Sequence, residues 1–309
     1  MVNINQKQNL IIIENGLGLK AVFSMLGAAI YQIFDKNVCL TRNVASLEDF
    51  EKPICYYGKT IGRSANRIKG NILEIEGKKY KLFANENGNV LHGGLEGLSN
   101  QVFDYATKED ENSIVVNFSY LSKHLESGYP GNLSVKITYK ISKNENQLRV
   151  DYECTTDQTT LCSLTNHTYF TLGSNHIKDL SLKLDSDTYL DVDKELIATG
   201  KKPVDNFFDF REGKPLPEKG GIDHFFYLKN KEIVLLNDKY KLSITSNFEG
   251  VQIYTSNWKH PDELCPKCDN ILDSVAIEPS DSHLDLHFLK KGETYTRYII
   301  YNIERLKDE

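Results

Sequence analysis

The feature that most constrains this chain is the recurrence of short runs rich in Ile, Val, Tyr, Phe and Thr between dense turn signals. Such runs lie at Leu10–Ile13, Ser113–Tyr120, Leu133–Ile141 and Gln147–Cys154. They return at Asp179–Leu184, Tyr240–Ser246, Val251–Thr255 and Tyr295–Tyr301. β-Branched and aromatic side chains suit a pleated, half-buried surface, and several runs alternate with period two. Val135, Ile137 and Tyr139 fall on one face of their run, with Ser134, Lys136, Thr138 and Lys140 on the other. Turn chemistry punctuates the series at Glu86-Asn87-Gly88-Asn89, Ser127-Gly128-Tyr129-Pro130-Gly131, Lys143-Asn144-Glu145-Asn146 and Lys219-Gly220-Gly221. No amphipathic helix of three or more turns is legible. The patterning predicts an all-β sandwich of many strands, with residues 1–309 forming a single domain.

Composition narrows the function classes. The 37 basic and 43 acidic residues leave a net charge of −6, so the basic surface needed to neutralise nucleic-acid phosphates is missing. The apolar tract around Ala21–Phe34 is interrupted by Ser24, Gly27 and Gln32 and is too short to span a bilayer. The first residues lack the pattern of a secretory signal, so a cytoplasmic location is expected, without nucleic-acid or membrane partners. Six cysteines in a chain of 309 residues do not read as a disulfide scaffold. Cys265-Pro266-Lys267-Cys268, with His260 nearby, is the one short cysteine pair; ordinary thiols are expected there rather than a zinc or redox site.

Three regions stand out from this background. The first is Gly62-Arg63-Ser64-Ala65-Asn66-Arg67-Ile68, followed by Leu91-His92-Gly93-Gly94. The second is Leu164-Thr165-Asn166-His167-Thr168-Tyr169-Phe170. The third combines Ile222-Asp223-His224-Phe225 with Val275-Ala276-Ile277-Glu278-Pro279. On residues alone, His167 reads as a structural strand histidine sharing a face with Thr165 and Tyr169. Glu278 reads as an exposed carboxylate at a strand end. His92 reads as a loop histidine beside a glycine pair, Arg67 as a surface arginine and Asp223 as a turn residue.

Together with Gly128-Tyr129-Pro130-Gly131-Asn132-Leu133 and a closing Gly292-Glu293-Thr294-Tyr295, these segments resemble the aldose 1-epimerase (galactose mutarotase) family, in the family's order. The resemblance implies a large antiparallel β-sandwich, the galactose mutarotase-like supersandwich, with a sugar held on a concave face. It implies an isomerase that interconverts the α and β anomers of a free hexose such as galactose or glucose, without cofactor or metal, as a monomer or homodimer. It makes His167 the general acid, Glu278 the general base, and His92 a second imidazole that stabilises charge at the ring oxygen. It makes Arg67 and Asp223 the pair that orients the sugar, so Arg63 is the arginine less expected to touch it. His224 follows Asp223 directly and in an extended stretch points away from it, so it is expected to be structural. A carboxylate and an imidazole match the proton exchange that anomerisation requires near neutral pH. A neighbouring carboxylate is expected to raise the pKa of His167.

Three stretches depart from the family's common form: Thr171, Ser256-Asn257-Trp258, and Pro279-Ser280-Asp281-Ser282-His283. They leave the preferred sugar open. A carbohydrate-binding module without catalysis, a hexose-6-phosphate 1-epimerase, and a glycosidase or lyase on a similar sandwich stand as alternatives.

Overall fold

A computed structural model of the chain describes residues 2–5, 10–258 and 271–307. Cys265, Cys268 and His260 lie outside the described residues. Two large sheets dominate, and their strands pair antiparallel. The larger has nine strands, in the order Asp104–Glu109, Ser113–Ser122, Leu133–Ser142, Gln147–Thr156, Thr294–Arg305, Tyr240–Ser246, Glu232–Leu236, Ser181–Leu184 and Lys214–Pro215. The other has seven, in the order Ala198–Pro203, Thr188–Val192, Asp223–Tyr227, Gly250–Tyr254, Val275–Ser280, Tyr169–Phe170 and Thr41–Arg42. A five-stranded N-terminal sheet runs from Val2–Asn5 to Val38–Cys39. The expected large antiparallel β-sandwich is what the chain forms.

The period-two runs map onto these strands because alternation buries one face of each. Val135, Ile137 and Tyr139 are buried while Ser134, Lys136 and Lys140 between them are exposed. They join one hydrophobic core with Val251, Ile253, Val275 and Ile277 of the seven-stranded sheet and Ala21 and Phe23 of the N-terminal sheet. Most expected runs match strands to within two residues; at Asp179–Leu184 a 3₁₀ turn at Ile177–Asp179 delays the strand to Ser181. The exception is Tyr295–Tyr301, whose strand, Thr294–Arg305, continues four residues further.

Alternation also prepares the other face of the seven-stranded sheet. Phe225 pairs with Gln252, and Gln252 pairs with Glu278, so these three side chains form one cross-strand row. Asp223, Tyr254, Ala276 and Tyr169 form a parallel row on the same face. The core claims the intervening residues, and a polar floor is left facing away from it. The helix Leu47–Glu51 is short, capped by the Ser46 side chain, and anchored by buried Phe50. Among the described residues no helix is long and apolar enough to cross a membrane.

Candidate active site

Short ladders bring the motif segments together above this floor. Arg67–Ile68 pairs with Val90–Leu91, which sets Arg67 opposite Leu91 and delivers His92 beside it. His92, Gly93 and Gly94 then take positive φ in succession, at 52°, 85° and 85°. Only glycine fits at position 93, where a Cβ would stand 2.0 Å from the carbonyl oxygen of Gly62. The run Leu164–Phe170 is broken at His167 rather than continuous. Thr165–Asn166 pairs with Thr60–Ile61, and Tyr169–Phe170 joins the seven-stranded sheet. The backbone of His167 is tied on both sides, its N–H to Lys59 and its carbonyl to the N–H of Gly58.

Glu278 is not at a strand end. Val275–Ser280 continues through Pro279, and Glu278 stands in the interior of the sheet, 1% exposed. His167 is 4% exposed, and its Nε2 lies 3.3 Å from Glu278 Oε1. Tyr56, His167, Tyr169 and Tyr57 form a pile of near-parallel rings, with successive centroids 5.9, 4.9 and 4.2 Å apart. The edge of this pile meets His92, whose ring crosses that of His167 at 83°. All five expected site residues therefore converge: His92, His167 and Glu278 directly, with Arg67 and Asp223 alongside.

Arg67 is gripped by a residue the sequence reading passed over as part of a turn. Its Nε donates to Glu86 Oε2 at 2.6 Å and its Nη2 to Oε1 at 3.0 Å, a bidentate fork. Asp223 is likewise held, accepting a bond from Gln252 Nε2 at 2.6 Å. Gln252 lies between Asp223 and Glu278 on the floor, and only the strand register reveals it. His224 points away, packing on Tyr189 and Phe208, and Arg63 is buried among the carbonyls of Ser122, Pro130 and Gly131. The packing of His224 fits the structural role expected of it, and Arg63 is the arginine turned away from the site.

The electrostatics reverse one expectation. Burial lowers the His167 pKa to about 3 and raises that of Glu278 well above the usual carboxylate range. In a site this dry, loss of solvation works against the charged form of both partners and favours neutral imidazole beside carboxylic acid, with one proton between the two. Burial likewise pushes Asp223 up to about 6 against the opposing pull of Arg67. His92 is held well below its ordinary value, first by burial and then by His167 and Arg67.

Donor atoms of His92, His167 and Glu278 lie within 4.8 Å of one another, a spacing onto which a metal ion could draw them. The tautomer of His92 speaks for a different use. Its Nδ1 accepts the backbone N–H of Asn66 at 3.2 Å, which places the ring proton on Nε2. A protonated Nε2 donates to an oxygen; it does not ligate. Glu278 Oε2, Gln252 Oε1, Asn66 Nδ2 and His167 Nδ1 are buried with no hydrogen-bond partner among the described residues. Such groups are costly unless a polar molecule satisfies them, and a polyhydroxylated one suits this mixture of donors and acceptors.

Comparison with known proteins agrees with this geometry. The aldose 1-epimerase family model matches residues 9–302. The galactose mutarotases of Sus scrofa and Homo sapiens are each 36% identical over 232 residues, covering 69% of this chain and 66% of the relative. The aldose 1-epimerase of Haemophilus influenzae is 32% identical over 224 residues, covering 66% of this chain and 64% of that protein. The matched stretch thus spans just under two thirds of these relatives' own length. Among solved structures, a galactose 1-epimerase from Lactobacillus acidophilus superposes with a TM-score of 0.88 at 26% identity, covering 98% of this chain and 97% of that one. An aldose epimerase homologue from C. elegans gives a TM-score of 0.86 at 28% identity, covering 96% and 99%. Sequence motifs, fold and relatives coincide, and the chain belongs to the aldose 1-epimerase family.

Proposed function

We infer that the protein is an aldose 1-epimerase acting on a free hexose such as galactose or glucose. The observation that carries this reading is the buried contact between His167 and Glu278, an acid–base pair that holds one proton. Anomerisation consumes no net proton. Glu278 as carboxylate takes the hydrogen of the C1 hydroxyl, and His167 as imidazolium gives a proton to the ring oxygen. The C1–O5 bond breaks, leaving an open-chain aldehyde and an O5 hydroxyl. Rotation about C1–C2 presents the other face, and the two transfers run backwards to close the ring. His92 Nε2–H is placed to donate to an oxygen on this edge, where charge develops.

The neutral form favoured by burial is the form the pair takes once the ring has opened. Low dielectric therefore favours the proton transfer that accompanies ring opening, and the sugar's hydroxyl groups must support the charged form in which the transfer begins. Arg67, already paired with Glu86, and Asp223 orient the remaining hydroxyls. The acids Glu86, Asp223 and Glu278 outnumber Arg67 here, which suits an uncharged sugar better than a phosphorylated one.

Freshly dissolved α-galactose and α-glucose should lose optical rotation faster with the protein than without it; unchanged decay for every common aldose sinks the reading. The pH profile carries a further expectation. kcat/KM should fall as pH drops through about 6, because protonation removes the Asp223 acceptor needed to bind a hydroxyl. On the alkaline side the rate should fall as the acid–base pair loses its proton. Asp223→Asn should lower kcat/KM and remove the acid limb. An unshifted acid limb in that variant would assign it to another group.

A further inference from the structure

The segment after Glu278 departs from the family's common form, and it carries a histidine the proposed chemistry does not use. Its backbone is closely held. Buried Asp281 accepts from Arg297 Nε at 3.1 Å and Nη2 at 3.0 Å. The N–H of Ser282 donates to Glu249 Oε2 at 3.1 Å, and the Ser282 hydroxyl pairs with Tyr227 Oη at 2.7 Å. A segment tied on both sides of its chain presents the next side chain in one place.

That side chain is His283. Its ring meets Phe225 edge-on, with centroids 5.9 Å apart and planes at 89°. Phe225 shares the floor with Asp223, two residues away on the same strand, and with Gln252 and Glu278 across it. From that position the imidazole is within electrostatic range of Arg67 and His92. Its Nδ1 is buried and has no hydrogen-bond partner among the described residues, although the residue as a whole is partly exposed. This is the disposition of a group lining a cleft. Burial, then Arg67, lowers its pKa to about 4, so near pH 7 the ring offers one donor and one acceptor.

We propose that His283 is a specificity-determining residue, its imidazole hydrogen-bonding a sugar hydroxyl on the side held by Arg67 and Asp223, away from the C1–O5 edge. The proposal rests on the mutarotase reading above and deepens it. A directional contact from a neutral ring distinguishes equatorial from axial hydroxyls, and sites built to hydrogen-bond a hydroxyl discriminate strongly against analogues that lack it. It also gives the divergent segment a chemical role.

The test is steady-state mutarotation by wild type, His283→Ala and His283→Gln on glucose, galactose and their monodeoxy analogues. His283→Ala should raise KM about 10-fold for the preferred hexose, the loss of one hydrogen bond, while kcat changes by less than about twofold. On the one analogue lacking the contacted hydroxyl, wild type and variant should have equal kcat/KM. His283→Gln, which keeps a donor and an acceptor, should recover part of the loss. An equal loss on every sugar, deoxy analogues included, would mark a structural role and overturn the proposal. Unchanged kinetics on every sugar, with wild type active, would overturn it while sparing the mutarotase reading. A wild type inactive on all aldoses would bring down both.

Discussion

Glu278→Gln is expected to lower the mutarotation rate by about 10²- to 10⁴-fold, and His167→Asn by a comparable factor, while the sugar still binds. Gln keeps the shape of Glu278 and its place in the row with Gln252 and Phe225, but cannot take a proton from the C1 hydroxyl. Asn keeps a polar group in the stack but cannot protonate the ring oxygen. The double variant should be little worse than either single one, because each group is idle without the other. Glu278 sits in the interior of a strand, so Gln also removes the need to desolvate an ionisable group, and the thermal midpoint should not fall. Polarimetric initial rates across pH 4 to 9, with calorimetric titration of galactose into each variant, check both halves. Retention of more than about a third of the wild-type rate by either single variant would show the roles to be wrongly assigned.

Arg67→Ala should lower kcat/KM by about 10- to 100-fold, the loss expected for a charged hydrogen bond from the rest of the guanidinium to a substrate. Arg67 is bidentate to Glu86, so its removal strands a half-buried carboxylate and should cost about 1–3 kcal/mol of stability as well. Glu86→Gln should weaken binding in the same direction by loosening the guanidinium, and the double variant should fall short of the summed single effects. Arg67→Lys should rescue little, since an ammonium cannot reproduce the fork. Denaturant unfolding measured beside the kinetics separates the two contributions. A loss of stability with unchanged KM would make the pair structural and take Arg67 out of the sugar site.

Much of this architecture was legible in the sequence, because period-two burial is a local signal. The run around Val135, Ile137 and Tyr139 declared both its strand and its inward face. The residues proposed for catalysis were legible for another reason: they lie in short, unusual segments that a family resemblance can align. What stayed hidden depends on register and on loops. Gln252 sits in an unremarkable strand, and only its pairing with Phe225 and Glu278 carries it onto the floor. Glu86 belonged to a turn, where an acidic residue is ordinary, and its fork to Arg67 spans 19 positions. His283 fell where the resemblance weakened, so no motif pointed to it. The pKa of His167 was misjudged because sequence reveals a neighbouring carboxylate but not how dry the pair will be.

The pile of rings around His167 has a mechanical consequence. An imidazole pressed between Tyr56 and Tyr169 cannot turn without displacing both, and the pile extends to Tyr57. Glu278 is clamped by its strand, and His92 by a hydrogen bond from the backbone N–H of Asn66. The groups proposed for catalysis thus form a stator, and in the proposed reaction the rotor is the C1–C2 bond of the opened sugar. Whichever face the aldehyde turns toward this frame, the same atoms receive it. That symmetry is what a catalyst needs when its substrate and product exchange roles on every passage.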